Sequence, residues 1–210
     1  TKSFSAKDSL NIYIFKTSTN GVLAWEKTIQ VSTVDDDVAV TAEEVSDGYI
    51  IGGYTEQVNG GDTLSDMVLV KTNKTTGAVS WLKTYGANNQ DEKIFDISLS
   101  TANNLLVTGY TNQSGYNNTL LMKADISNGN ILQFISQLNK PKGVLYLTGL
   151  NSVFVVNSGD GLCHMLKATN LEHMFSVILS KDADQLRYDA VSKKIYVGHG
   201  NGAISIIDGS

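Results

Sequence analysis

At 210 residues the chain is long enough to bury a sizeable core. Its 41% hydrophobic and 18% charged residues exclude a disordered segment. A formal net charge of −5, with Arg187 the single arginine, argues against a nucleic-acid binder, whose surface carries a basic stripe. No apolar run approaches the roughly 18–20 residues of a membrane-crossing helix, and the first residues lack the layout of a signal peptide. The chain opens Thr1-Lys2 without a methionine and closes Gly209-Ser210, so both ends read as trimmed. Cys163 is alone, which excludes an internal disulfide and any multi-cysteine metal site and predicts a small core residue.

In chain order, the first predicted strands are Leu10–Lys16 and Val22–Ile29, joined by the turn signal STNG. An acidic step, DDDVAV over Asp35–Val40, leads to GYIIGGYT over Gly48–Thr55, and then to DMVLVKTNKTTGAVSW over Asp66–Trp81. That last segment repeats the opening NIYIFKTSTNGVLAW, and Trp25 and Trp81 stand 56 residues apart. The same interval returns the acidic step as DEKIFD (Asp91–Asp96) and the following strand as NLLVTGYT (Asn104–Thr111). Asn118–Phe134 continues the pattern. Shorter versions follow at Asn151–Gly161, Leu162–Leu179, Lys193–Gly202 and Gly202–Asp208.

The runs IYIFK, MVLVK and TLLMK have strand length and β-branched content and are bounded by turn residues. No longer segment shows a helical apolar period. A repeat of about 40–56 residues with four short strands is the mark of a β-propeller blade, with strands a to d counted from the central channel outward. The predicted order is strands c and d, three whole a-b-c-d units, then a, b and c over about Gln185–Asp208, some seventeen strands in all. The fold class is therefore all-β, either about four blades plus a spare strand or part of a larger propeller, taken as a single domain over 1–210. Ring closure would pair the trailing a and b with the leading c and d. An open propeller would instead leave edges for self-association.

Residues 10 to 117 resemble the bacterial SBBP-type propeller repeats, on Trp25, Trp81, Asp35–Asp36, Asp91–Glu92, Gly53–Thr55 and Gly109–Thr111. Residues 141 to 208 are similar instead to YVTN/NHL-type propeller repeats, on Ser152–Gly161 and Asp182–Asp208. The resemblance implies an extracellular or cell-surface scaffold or binding domain. The change of style near residue 140 suggests old divergence or a chimera. Neither motif set specifies a reaction.

Asp36, Asp91, Glu92 and Asp184 fall at strand-a entries, which a propeller gathers at one mouth of its channel. Converging carboxylates there would hold Ca²⁺ or attract a cationic ligand. The alternative is that such acids cap turns by bonding neighbouring N–H groups. Lys140 and Lys142 break the pattern in the third unit and would neutralise the ring by pairing with its acids. Arg187, on a predicted strand a, would point into the channel beside Asp184 or Asp189 and clamp an anionic ligand, or else brace neighbouring blades. The histidines 164, 173 and 199 lack the spacing of a zinc-binding helix. The glycine-rich GDG and GHGNG precede strands and read as turns. Trp25, Trp81, Tyr54 and Tyr110 allow either sugar stacking or packing between blades. Asn73, Asn112 and Asn117 open glycosylation sequons, which chance supplies in so Asn- and Thr-rich a chain.

These residues point to a non-catalytic binding or scaffold propeller that meets a protein or glycan through its mouth loops. One alternative is a metal-assisted lactonase- or lyase-like propeller. The other is a chimeric assembly of propeller fragments with no evolved activity.

Overall fold

A computed structural model describes residues 9–33, 35–59, 62–86, 90–100, 103–112, 120–135 and 138–210. The sequon at Asn117 and the turn that follows Asn112 lie outside these residues. The described chain is built from strands. In order they are β1 (Ile12–Thr17), β2 (Leu23–Ile29), β3 (Asp37–Val45), β4 (Gly48–Asn59), β5 (Asp62–Asn73) and β6 (Val79–Tyr85). Next come β7 (Glu92–Ser100), β8 (Asn104–Thr111), β9 (Leu120–Asp125), β10 (Ile131–Ile135), β11 (Pro141–Leu147) and β12 (Ser152–Asn157). The last are β13 (Leu162–Lys167), β14 (His173–Ile178), β15 (Ala183–Asp189), β16 (Lys194–His199) and β17 (Ile204–Asp208).

They form antiparallel meanders: β3 to β6, β7 to β10 and β11 to β14 are whole four-stranded blades, a partial sheet of β1 and β2 precedes them, and β15 to β17 follow. This is the expected c-d, three times a-b-c-d, a-b-c order of an incomplete propeller. Of the two alternatives, ring closure by pairing of trailing with leading strands is not seen among the described residues, where the first and last strands form separate sheets of two and three strands. The chain divides into two compact units, Thr1–Ile94 and Phe95–Ser210, with the boundary inside β7.

In the first unit the continuous apolar run of β5 becomes a fully buried strand, with Met67, Val68, Leu69 and Val70 shielded on both faces. Its core joins Ile12 and Ile29 of the β1–β2 hairpin to Ile51, Val68 and Val70 of the blade beside it. The turn from c to d is specified locally. Asn73 Oδ1 accepts the N–H groups of Thr75 and Thr76 at 2.9 and 3.0 Å, and Gly77 takes a φ of 68°. Gly21 and Gly129 take the same left-handed conformation in the corresponding turns, where an irregularity of register ends the pairing of c with d. Leu171 occupies that place in the third whole blade, with φ 57° and its side chain buried.

The second unit has two cores. One joins Leu106 and Leu121 to Val144, Val153, Val155 and Leu166. The other joins Phe154, Val156 and Cys163 to Ala183, Leu186 and Ile195. Burial pushes the Cys163 thiol up to about 12, which makes it the inert core sulfur that its isolation predicted. Strand β11 is the edge of its sheet, and its outward N–H groups find partners on β7. Val144 N–H donates to the Asp96 carboxylate and Tyr146 N–H to Ser98 Oγ, both at 3.1 Å. Lys123 Nζ donates to the Ala168 carbonyl in the c–d turn of the neighbouring sheet, at 3.1 Å. In the first unit Lys16 Nζ does the same to Lys74, at 3.2 Å.

Gly143 lets β11 approach β15, since a Cβ there would stand 2.6 Å from the Asp184 carbonyl oxygen and 2.9 Å from Leu186 Cδ1. Gly198 on β16 has no such neighbour within 4 Å. Gly143→Ala is expected to cost about 1–3 kcal/mol through forced backbone separation, and Gly198→Ala less than about 0.5 kcal/mol. Paired thermal melts check the difference.

Candidate functional site

The predicted mouth residues divide between the two units. In the first, the Asp36 carboxylate accepts the Leu10 N–H at 2.5 Å, and its carbonyl accepts the Glu56 N–H at 2.8 Å. Asp37, which carried no expectation, is more deeply engaged. It is 3% exposed and accepts N–H groups from Val31 at 2.8 Å and Ser32 at 3.3 Å, with the Thr55 hydroxyl at 2.7 Å. Asp35 accepts the Ser32 hydroxyl at 2.7 Å. Around the first strand a, these carboxylates act as turn and strand-entry caps. Asp91 is half-buried before β7, and Glu92 opens that strand as a buried residue.

In the second unit Asp184 and Arg187 are both exposed on β15. The register of β15 against β16 shifts between Ala183 and Leu186. Simple alternation would put Ala183 and Arg187 on one face, but here Ala183 and Leu186 are the buried pair. The Arg187 guanidinium donates to the carbonyl of its neighbour Leu186 at 2.6 Å, and among the described residues it makes no ion pair with Asp184 or Asp189. Asp189 is taken by the turn after it, accepting the Val191 N–H and the Ser192 hydroxyl at 3.0 and 2.6 Å. Lys142 lies over the Phe95 ring, 3.8 Å from its centroid, and the Lys140 carbonyl receives Ser158. The expected pairing of these lysines with acids is absent among the described residues. There, too, no three His, Cys, Asp or Glu side chains come together as a metal-holding group.

A better-formed site lies in the first unit. A cavity of about 450 Å³ opens along β1, lined chiefly by Tyr13, Phe15, Lys16, Trp25, Tyr49 and Ile51. The indole N–H of Trp25 and the ammonium of Lys16 both reach the Lys74 carbonyl, at 3.3 and 3.2 Å. Trp25 packs obliquely on Tyr49, centroids 6.0 Å apart, and Lys16 Nζ stands 5.5 Å over the Tyr49 ring. The Trp25 ring also fills the space beside Gly77, where a Cβ would come within 2.6 Å. Trp25 thus packs between sheets, the simpler of its two expected roles, and walls the cavity as well. The Tyr13 hydroxyl bonds the Glu26 carboxylate, which raises its pKa.

Tyr13 and Phe15 are 37% and 60% exposed. Aligned on the strand-c lysines, their counterparts Val68 and Val70 in β5 are fully buried, as are Leu120 and Met122 in β9. The IYIFK run contained this signal, since aromatic residues stand there at positions that are aliphatic in the next two repeats.

No protein-family model matches the chain, and no curated protein matches it by sequence. Many solved structures do match by fold. The C-terminal WD40 domain of Sif2 aligns with TM-score 0.58 and 14% identity, over 89% of this chain and 47% of that one. Saccharomyces cerevisiae Sqt1 aligns with TM-score 0.55 and 12% identity, over 94% and 65%. BamB from Moraxella catarrhalis aligns with TM-score 0.50 and 14% identity, over 86% and 61%. At such identities the likeness shows the β-propeller fold alone, and the chain spans less than two thirds of each of these structures.

The caps differ in depth. Asp37→Ala should cost about 3 kcal/mol, because it strands buried donors that now meet a charged acceptor. Asp184→Ala, exposed and without such bonds, should stay within about 0.5 kcal/mol. Urea denaturation of the two variants checks the order.

Proposed function

We propose that the chain is a non-catalytic binding propeller that takes a protein partner as an added strand along β1. The observation that carries this reading is the aromatic cavity beside a strand that, among the described residues, pairs with β2 alone. In each whole blade the corresponding edge of strand c is covered by strand b, through the pairs β4–β5, β8–β9 and β12–β13. The cavity therefore has the place and the lining of a strand-b seat. Its occupant is an extended, apolar segment that bonds the β1 backbone and sets alternate side chains against Tyr49 and Ile51. The propeller fold supports this reading, because it places several blades side by side as a rigid support for one exposed edge. The finer resemblance to SBBP- and YVTN/NHL-type repeats, and the setting outside the cytoplasm that it implies, belong to the same proposal.

The test uses a synthetic peptide with the sequence of Gly48–Thr55, the chain's own strand b, in a Trp81→Phe background so that Trp25 reports alone. A saturable one-to-one blue shift is expected, weakened about tenfold or more by Phe15→Asp. An equal response to a proline-interrupted peptide, or none, overturns the reading. So does a dimer in light scattering that shields Trp25, or competition by soluble oligosaccharides in place of the peptide.

A further inference from the structure

In the second unit, two histidines that stand nine residues apart in the sequence meet across the β13–β14 hairpin. The register sets His164 opposite Ser176 and Leu166 opposite His173. The Ser176 hydroxyl lies 2.9 Å from His164 Nδ1 and 2.8 Å from His173 Nε2. Two imidazole nitrogens therefore converge on one point. The rings are edge-on to each other at 69°, with centroids 5.4 Å apart. A ring nitrogen lies about 1.1 Å from its centroid and a Zn–N bond is about 2.0–2.1 Å, so two imidazoles on one tetrahedral ion hold their centroids roughly 5.2 Å apart. The observed spacing is that of a shared tetrahedral ligand.

A second contact bears on the tautomer, because an amide N–H donating to Nε2 leaves the His164 proton on Nδ1 until that amide turns. Asn157 is fully buried, and its Nδ2 lies 2.8 Å from His164 Nε2 and 3.4 Å from the Asp160 carboxylate. Its Oδ1 is buried without a partner. For His164 to ligate through Nδ1, its proton must sit on Nε2. A turn of the Asn157 amide, which gives up the 3.4 Å bond to Asp160, would then bring Oδ1 to that N–H and fix the ligating tautomer, as outer-shell partners do in metal sites. The third histidine takes no part. His199 is held by Ser180 and Ser205, at 2.9 and 2.8 Å from its two nitrogens.

We propose that His164 Nδ1 and His173 Nε2 form a two-imidazole site for a divalent late-transition-metal ion, seated where the Ser176 hydroxyl now bridges them. Imidazole donors suit zinc and copper among such ions, and copper binds more tightly for a given ligand set. Both histidines line a cavity of about 440 Å³ whose wall includes Phe134, Leu138 and Leu166. The cavity is also lined by Gln133, Asn170 and Glu172, so the ion would stand at the rim of a pocket of mixed polarity and offer its open positions to a further ligand.

The test is calorimetric titration of the whole chain with Zn²⁺ and with Cu²⁺, and Co²⁺ absorption for geometry. One ion per chain with tetrahedral Co²⁺ bands is expected. His173→Ala, an exposed position whose loss leaves the fold intact, should weaken binding about tenfold or more. Ser176→His, which adds a third imidazole at the convergence point, should tighten it about tenfold or more. Wild-type binding no tighter than that of His173→Ala overturns the proposal. A folded Ser176→His variant that binds no tighter than wild type overturns it too.

Discussion

Each whole four-stranded blade has central strands that are apolar on both faces, and neither face can be left in water. Val68 and Val70 in β5, Leu106 and Val107 in β8, and the whole of β12 are shielded on both sides. A lone four-stranded meander could cover only one side by curling, so stability comes from stacking sheet on sheet. This constraint explains why the central strands are unbroken apolar runs. It also explains why the outer strands β6, β10 and β14 carry mixed polar and aromatic residues, since much of their surface is exposed.

Stacking creates a second problem, the polar backbone at the edges of each sheet. Side chains from the neighbouring sheet solve it. Asp96 and Ser98, two residues apart on one face of β7, match the two-residue spacing of Val144 and Tyr146 on β11. The strand-c lysines serve a related end at the rim, where Lys16 and Lys123 reach a carbonyl in the next c–d turn. Lys71, at the same place in its blade, is instead held at 2.9 Å by the Asp47 carboxylate. Polar residues inside the repeat thus join sheets as well as solvating them.

Sequence legibility followed the same division. Strand order was readable because apolar runs and turn glycines recur at similar intervals, 56 residues from Gly21 to Gly77 and 52 from Gly77 to Gly129. The third whole blade was harder to read, with Leu171 in the glycine place and Lys140 left-handed at the strand-a entry. Side-chain destinations were poorly readable for three physical reasons. Asp37 aligns with Lys93, so repetition hid the most heavily bonded acid of its step. The register shift in β15 reversed the phase that simple alternation assigned to Arg187. His164 and His173 meet only through hairpin register, which no helical spacing rule anticipates.

The two partial sheets are not equivalent ends. Among the described residues β17 also pairs with one strand only, β16, and it exposes Ile204 and Ile206. By register, however, Asp208 of β17 stands where Asn73, Asp125 and Lys167 stand, and Ile206 takes the place of Lys71 and Lys123. Hydrogen bonds from Ser210 and Lys194 hold the Asp208 carboxyl down at about 2, so it is charged at any working pH. A fixed charge on an edge strand discourages pairing with another strand. β1 has no acid, and Lys16, its one cation, is drawn off the edge to the Lys74 carbonyl. Its exposed side chains are aromatic, large in area and costly to leave in water. The charged end of β17 and the uncharged aromatic edge of β1 therefore differ in the way that the proposed strand addition at β1 requires.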